Sequence, residues 1–383
     1  MEYRVAVRTV RSKALTMLRQ ENSNIEAIAV GSKDAGPLRD VKDFCVTAYV
    51  KEKLTDQQMK ARGIEPFFNV ARQSMSSRSA AELQEALDID VVECRSAFRS
   101  LPGLSTPAAQ RGRFGGNPPA LNAQKEFRSL RCGIGVTNPT GSYPDSLSVG
   151  TAGFYMRDEE GNQYLVSNNH VIGKSNDAVP GESVVQPGTL DLTGTELQLM
   201  PDLGTLRQVL EVARVSAVVD LQFATASGTP NNRVDAAIAQ LTNSPRERND
   251  LDRLTFGGSI QGTARLRIDA SGNLLPSSRV YKVGRTTGFT EGEVIGIAGV
   301  ANIEYPGGVA HFVDQIVVRP TADNVGPFSD SGDSGSGVLN DQHDLVGLLY
   351  AGSTFQTLIN PIDRVVQALR TATGIPSLEV ITR

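Results

Sequence analysis

Several residue types are scarce in this sequence, and each scarcity narrows the class of protein. Only three cysteines occur, Cys45, Cys94 and Cys132, and this odd, widely spaced set specifies neither a disulfide framework nor a zinc site. No apolar run is long enough to cross a bilayer, and charged residues interrupt the N-terminal segment too often for a secretory signal. We therefore expect a cytoplasmic protein with buried free thiols.

An excess of charge of one sign is also missing. Lys and Arg total 38 against 42 Asp and Glu, which gives a net charge of -4. This balance offers no electrostatic basis for nucleic acid or an anionic membrane as the main partner. By contrast, 37 glycines and 19 prolines are typical of a turn-rich β protein.

The first quarter of the chain reads as a small α+β domain. Helix formers at helical spacing and runs of alternating apolar and β-branched residues follow one another without a βαβ repeat. The predicted elements are helices at 9–20 and 80–88 and strands at 24–32, 42–54 and 89–95. A stretch rich in Pro, Gly and Ala then predicts a linker. We assign the N-terminal domain to 1–98, the linker to 99–124 and the main domain to 125–383.

The main domain consists of short apolar segments separated by Gly and Asn turns. This spacing favours antiparallel β-barrels or a sandwich over an α/β sheet. The segment PIDRVVQALRTA at 361–372 places its apolar residues on one face, which predicts a final helix packed against the second barrel.

The densest chemical signal is GPFSDSGDSGSGVLN at 326–340. A serine nucleophile needs a tight turn that exposes its hydroxyl, and flanking glycines let main-chain N–H groups converge on a developing oxyanion. Ser334 is the candidate nucleophile, with the N–H groups of Gly332 and Ser334 as the oxyanion hole. The alternative is an ordinary polar turn between two strands.

Such a serine needs a base, and the chain has only three histidines. His170 ends QYLVSNNHV, where an apolar strand runs into two asparagines, so its imidazole should lie at a strand end beside a cleft. His311 lies within a strand and His343 in a predicted turn, which favours structural or exposed positions for both. We predict His170 as the general base.

A carboxylate should orient the imidazole. Asp235 is followed by Ala236, Ala237 and Ile238, and a buried acid in that setting requires a partner. Asp220, within SAVVDLQF, has a similar setting and stays open as the rival. The order His, Asp, Ser along the chain matches the chymotrypsin-type arrangement.

These segments together resemble a known family. LVSNNHV, VDAAIA and SGDSGSGV are similar to the histidine, aspartate and serine motifs of trypsin-like serine proteases, and the resemblance spans about residues 130 to 369. The N-terminal NIEAIAVGSKDAG and VTAYVKEKL, with LRCGIGV, resemble the intracellular narrow-leaf type of plants and bacteria. The resemblance implies a mainly β fold, a chymotrypsin-like double antiparallel β-barrel, and peptide-bond hydrolysis through an acyl-enzyme without metal or cofactor.

The resemblance also implies a pocket for the side chain that precedes the cut. Phe328 and Ser329 would form one wall, and Phe328 stands where trypsin carries the acid that attracts Lys and Arg. Leu349 stands where glutamyl endopeptidases carry a substrate-reading histidine. We therefore expect preference for an apolar or small residue, unless Asp330 projects into the pocket.

Tyr350, Ala351 and Gly352 would form the strand edge that pairs with an extended substrate backbone, the alternative being an ordinary strand end. The partner is then a protein or peptide substrate. A catalytically silent scaffold that binds a peptide is the competing class. The N-terminal domain is expected to regulate the site, through a homo-oligomer or another partner.

Overall fold

A computed structural model describes residues 3–18, 24–32, 36–38, 41, 44–52, 54, 57–58, 89–93, 98–99, 129–242, 250–322, 324, 326–353 and 355–383. The predicted helix at 80–88, the linker beyond residue 99 and Cys94 lie outside these ranges. Cys45 and Cys132 are buried thiols outside any disulfide, as predicted.

Most described elements are strands, and the helices are few. The strands are β1 (Ile25–Ser32), β2 (Phe44–Val50), β3 (Ile89–Glu93), β4 (Gly135–Val136), β5 (Gly150–Thr151), β6 (Phe154–Arg157), β7 (Gln163–Ser167), β8 (Ser183–Val185), β9 (Glu211–Val218), β10 (Asn231–Asn232), β11 (Ala237–Leu241), β12 (Gly262–Thr263), β13 (Arg267–Ile268), β14 (Leu274–Leu275), β15 (Arg279–Gly284), β16 (Gly288–Tyr305), β17 (Gly308–Pro320), β18 (Gly337–Asn340), β19 (Asp344–Gly352), β20 (Thr357–Pro361) and β21 (Glu379–Val380). The α-helices are α1 (Tyr3–Leu18), α2 (Asn169–Ile172), α3 (Gly194–Leu199), α4 (Leu203–Leu210) and α5 (Ile362–Thr373).

The first barrel is built from β6, β7, β8, β9 and β11, with β21 added beside β6. A bridge between Thr137 and Val185 connects β8 to the chain that leaves β4, and β4 pairs with β5. Buried apolar residues of β6, β7, β9 and β11 share one cluster. Consecutive residues of β6, β7 and β11 are buried, so both faces of this sheet are covered.

The second barrel is a closed ring of six strands. Following the hydrogen-bonded neighbours from β15 leads through β16, β17, β20, β19 and β18 back to β15. The hairpin formed by β16 and β17 is long, with 18 and 13 residues. Register shifts between Val294 and Ala301 mark bulges that bend it. Near the tip of this hairpin, Ala310 forms a bridge to Phe223, which lies between β9 and β10. The fold is the predicted mainly β double barrel.

The N-terminal strands continue the sheet of the second barrel. β1 pairs antiparallel with β16, placing Ala27 opposite Ala301, and β2 pairs with β1. Ala6 and Val10 of α1 are buried in the same cluster as Val294 and Phe328 of the barrel. The N-terminal elements and the second barrel thus share hydrogen bonds and a core.

Helix α5 joins the two barrels. Its buried residues Ile362, Val365 and Leu369 belong to a cluster that contains first-barrel strands as well as Leu348 of β19. The expectation that it packs on the second barrel therefore covers only part of its contacts. Within the described residues, no helix combines the length and hydrophobicity needed to span a bilayer.

Candidate active site

His170 lies at the end of β7, on the short helix α2, and two asparagines hold it there. The side-chain amide of Asn168 donates to the carbonyl oxygen of Asp235 at 2.7 Å, and that of Asn169 donates to the carbonyl oxygen of Val219 at 2.8 Å. These bonds replace the strand ladder where β7 ends, because buried main-chain carbonyls need donors. The predicted polar pair before the histidine therefore has a structural purpose.

Asp235 is the carboxylate that contacts His170. Its Oδ2 lies 2.6 Å from His170 Nδ1, and its Oδ1 accepts the main-chain N–H of His170 at 3.3 Å. The side chain of Asp235 is completely buried, whereas Asp220 is exposed. The geometry selects Asp235 over its rival.

The contact with Asp235 fixes the role of each imidazole nitrogen. A carboxylate beside Nδ1 places the proton of the neutral ring there and leaves Nε2 with a lone pair. In the part of the chain that the structure describes, Nε2 is buried and has no hydrogen-bond partner, Ser334 included. This nitrogen is available to receive a proton.

Tyr305 is a member of the site that the sequence analysis missed. Its hydroxyl donates to Asp235 Oδ2 at 2.8 Å, and its ring stands edge-on to His170 with centroids 5.9 Å apart. Burial, together with the charge of Asp235, raises the pKa of Tyr305 well above its ordinary value, so it stays a donor. The only signal was its place at the end of a strand before a Pro-Gly-Gly turn.

Strand β5 brings the loop of Ser334 against the end of β7, just before His170. The N–H of Thr151 donates to the carbonyl oxygen of Ser334 at 2.8 Å, and Ser167 Oγ donates to the carbonyl oxygen of Thr151 at 2.7 Å. A Cβ added at Gly150 would lie 2.4 Å from the side chain of Val171 and 3.1 Å from the Ser334 carbonyl oxygen. Ser334 and the neighbour of His170 therefore flank the same glycine at the junction of the barrels.

The loop around Ser334 has the conformation that its glycines predict. Gly332 and Gly335 both have a φ of 94°, a region that L side chains rarely adopt. The N–H of Asp333 donates to Asp330 and that of Gly335 to Leu349. By contrast, among the described residues no acceptor is found for the N–H groups of Gly332 and Ser334. These N–H groups, one on each side of Asp333, are donors of the kind that an oxyanion hole uses.

A buried lysine supports this loop from below. Lys282 Nζ lies 3.3 Å from Asp333 Oδ2, and both side chains are completely buried. The Asp333 carboxylate also accepts the N–H groups of Thr286, Thr287 and Asp330 at 2.8–3.1 Å. Burial lowers the pKa of Lys282, and the charge of Asp333 opposes that shift. The sequence analysis did not identify this lysine, whose signal was a charge inside the apolar run VYKVG.

The remaining histidines lie away from the site, as expected. His311 is buried in β17, where its Nδ1 contacts Asn302 Oδ1 at 2.8 Å. His343 is exposed in the turn between β18 and β19 and contacts the hydroxyl of Tyr281.

The residues predicted to bind substrate lie on two adjoining segments. The N–H of Leu349 donates to the carbonyl oxygen of Ser336 at 2.9 Å, which joins β19 to the loop of Ser334. A Cβ at Gly352 would lie 3.3 Å from Ser329 Oγ. Asp330 is exposed, and its Oδ1 accepts the N–H of Ser331 at 2.7 Å.

The side chains on these segments are mostly buried. Phe328 and Leu349, at 1% and 2% exposure, belong to the core cluster of the second barrel, and Tyr350 and Ala351 to a neighbouring one. Their assignment to substrate binding stays a prediction. Across the described ranges, no group of three or more His, Cys, Asp or Glu side chains is placed to hold a metal ion.

Comparison with solved structures returns trypsin-like serine proteases. Thermobifida fusca protease A is 16% identical with a TM-score of 0.39, over 67% of this chain and 100% of that one. The Nocardiopsis protease is 16% identical with a TM-score of 0.38, over 66% and 98% of the two chains. Cellulomonas bogoriensis chymotrypsin is 17% identical with a TM-score of 0.35, over 61% and 91%. No protein-family model and no curated protein matches the chain.

Proposed function

We propose that this protein is a serine endopeptidase that hydrolyses peptide bonds through an acyl-enzyme. The observation that carries the proposal is the buried pair of His170 and Asp235, joined at 2.6 Å, with Nε2 of the imidazole left as an acceptor. Ser334 lies across β5 from this pair, on a turn with two N–H donors for which the described part of the chain offers no acceptor.

The mechanism assigns one step to each group. His170 Nε2 takes the proton of Ser334 as its hydroxyl attacks the carbonyl carbon, and Asp235 stabilises the imidazolium. The N–H groups of Gly332 and Ser334 bind the oxyanion of the tetrahedral intermediate. His170 then protonates the leaving amine, and water attacks the acyl-enzyme with the same base. Nε2 and the serine hydroxyl must approach when substrate binds, as free enzymes often require.

Within this class, we propose a cytoplasmic enzyme of the narrow-leaf type whose N-terminal domain regulates the site, alone or through an oligomer. Support for regulation comes from the pairing of β1 with β16, because Tyr305 at the end of β16 donates to Asp235 in the site. The substrate is a protein or peptide. Because Phe328 and Leu349 are apolar, we propose that an apolar or small residue precedes the cut.

A peptide-binding scaffold without turnover is the second candidate. The observation that favours it is the missing hydrogen bond between Ser334 and His170 Nε2 in the described structure. A scaffold would keep the barrels and the strand edge of β19 but would not activate its serine.

Labelling with a fluorescent fluorophosphonate separates the two candidates, because the probe reacts only with an activated serine. The wild-type chain should label, and Ser334→Ala and His170→Ala should not. His343→Ala, which removes an exposed histidine in a turn, is the matched control and should label normally. A wild-type chain that does not label would contradict the endopeptidase and support the scaffold.

A further inference from the structure

A short segment of the N-terminal part already occupies the strand edge assigned to substrate. The N–H of Arg99 donates to the carbonyl oxygen of Gly352 at 3.1 Å, and the N–H of Gly352 donates to the carbonyl oxygen of Arg99 at 3.2 Å. On its other side, the N–H of Glu304 donates to the carbonyl oxygen of Phe98 at 3.2 Å. Phe98 and Arg99 thus lie as a two-residue strand between the end of β19 and the end of β16.

The two side chains of this segment are held in different ways. Phe98 is completely buried and belongs to the same apolar cluster as Tyr350 and Ala351. The guanidinium of Arg99 lies on the surface, with Nε 2.8 Å from Glu304 Oε2 and about half of each side chain exposed. The segment is therefore anchored by an apolar residue and aligned by a charged one.

One strand edge can satisfy only one incoming strand. A reciprocal pair of antiparallel main-chain bonds is how an extended peptide adds to a sheet, with pockets for alternate side chains giving selectivity. Because both hydrogen-bonding groups of Gly352 are engaged by Arg99, an external peptide must displace the segment to use them. A residue that replaced Arg99 would place its own side chain beside Glu304.

We propose that Phe98–Arg99 is an intramolecular ligand of the edge at Gly352, and that this position selects Arg or Lys in a bound peptide by pairing it with Glu304. The inference rests on the proposed function for the identity of the edge. It adds a subsite for a basic residue, separate from the apolar pocket for the residue that precedes the cut. In the resting state this subsite is occupied by Arg99 of the same chain. A partner that drew the N-terminal domain away would open the subsite.

A binding experiment in the full chain carrying Ser334→Ala tests the proposal without turnover. The probe is the fluorescent peptide Ser-Ala-Phe-Arg-Ser-Leu, which copies residues 96–101, and its affinity is measured by anisotropy. Arg99→Pro removes the N–H that bonds to Gly352 and should raise the affinity roughly two- to tenfold, the loss expected for one hydrogen bond. Should this variant not fold, Arg99→Gln keeps the main chain and should raise it by up to about fivefold.

The charge preference is tested in the Arg99→Pro chain with a second peptide in which Gln replaces Arg. It should bind up to about fivefold more weakly, and Glu304→Gln should remove the difference between the two peptides. Arg157→Gln is the matched control, because it breaks an exposed pair with Glu379 on the first barrel. It should change neither affinity.

Three results would overturn the inference: no peptide binding by any variant, equal affinity in the chains with and without Arg99→Pro, or a charge preference that survives Glu304→Gln. A lower melting temperature of Arg99→Pro with unchanged affinity would identify the segment as a structural strand only. Fluorophosphonate labelling reports Ser334 and not the edge. If labelling fails but Arg99→Pro still raises the peptide affinity, only the proposed hydrolase is rejected. If labelling is normal but Arg99→Pro leaves the peptide affinity unchanged, only this inference is rejected.

Discussion

Replacing Lys282 should lower both the stability of the second barrel and the reactivity of Ser334. Lys282→Met keeps the volume of the side chain and leaves the buried Asp333 without its cation. Losing one partner of a buried pair costs about 3 kcal/mol at the lower end of the usual range, because the N–H donors to Asp333 remain. That loss corresponds to a melting temperature lower by roughly 6–12 °C. Fluorophosphonate labelling should slow by roughly a hundredfold, the effect of a misplaced oxyanion donor.

Deprotonation of Lys282 should change the free energy of unfolding and the labelling rate in opposite directions. Burial places the pKa of Lys282 below its ordinary value of 10.5. As the pH rises from that lowered pKa to 10.5, folded Lys282 loses its proton while the unfolded chain keeps it, so the free energy of unfolding rises over this window. The neutral amine still donates to Thr287 Oγ1 and to the carbonyl oxygen of Gly288, which Lys282→Met cannot do. Labelling should nevertheless fall over the same window, because neutral Lys282 no longer attracts Asp333. Lys282→Arg stays charged and should move the alkaline limit of labelling upward.

Labelling rates at pH 7 to 11, with thermal melts at each pH, measure both effects. Lys174→Met is the matched control, because the Lys174–Glu182 pair at 3.0 Å is partly exposed and should contribute less than about 1 kcal/mol. The reasoning would be refuted if Lys282→Met labelled at the wild-type rate, or if labelling of Lys282→Arg fell at the same alkaline pH as that of the wild type.

Three further changes test the site by the same labelling rate and by melting. Tyr305→Phe removes a buried donor to Asp235 and should slow labelling about tenfold at an unchanged fold, and a wild-type rate would reject its positioning role. Asp235→Asn should slow labelling by about ten-thousandfold, whereas Asp220→Asn should have no effect, and equal losses would reject the assignment. Gly335→Ala forces a side chain onto a φ of 94°, with its Cβ 2.2 Å from the Thr151 carbonyl oxygen. It should lower the free energy of unfolding by at least about 2 kcal/mol and abolish labelling, and a stable, reactive variant would contradict the loop geometry.

The candidate residues predicted from the sequence are those with distinctive neighbours along the chain. Ser334 stands among glycines, His170 follows two asparagines, and Asp235 precedes small apolar residues, although the sequence left Asp220 open as its rival. Tyr305 and Lys282 could not be found in this way. Tyr305 reaches Asp235 across 70 positions of sequence, and Lys282 meets Asp333 only because β15 and β18 pair in the barrel.

The same limit applies to the fold. Apolar alternation predicted β1, β2 and the strands of the barrels, and one-sided hydrophobicity predicted α5. The pairing of Ala27 with Ala301 was not predictable, because a strand's sequence shows that it needs a neighbour but not which neighbour it takes. The chain therefore looked like separate units where the sheet is continuous.

The pairing of β1 with β16 has a consequence for solubility. From Ile297 to Ala301, β16 bonds to β17 on one side and to β1 on the other, so the N-terminal domain occupies an edge of the second barrel. A chain shortened to begin near residue 123 would present this long apolar strand with an open row of N–H and C=O groups, the template on which strands of other molecules add. We therefore expect the pairing of β1 with β16 to prevent edge-to-edge association of this kind.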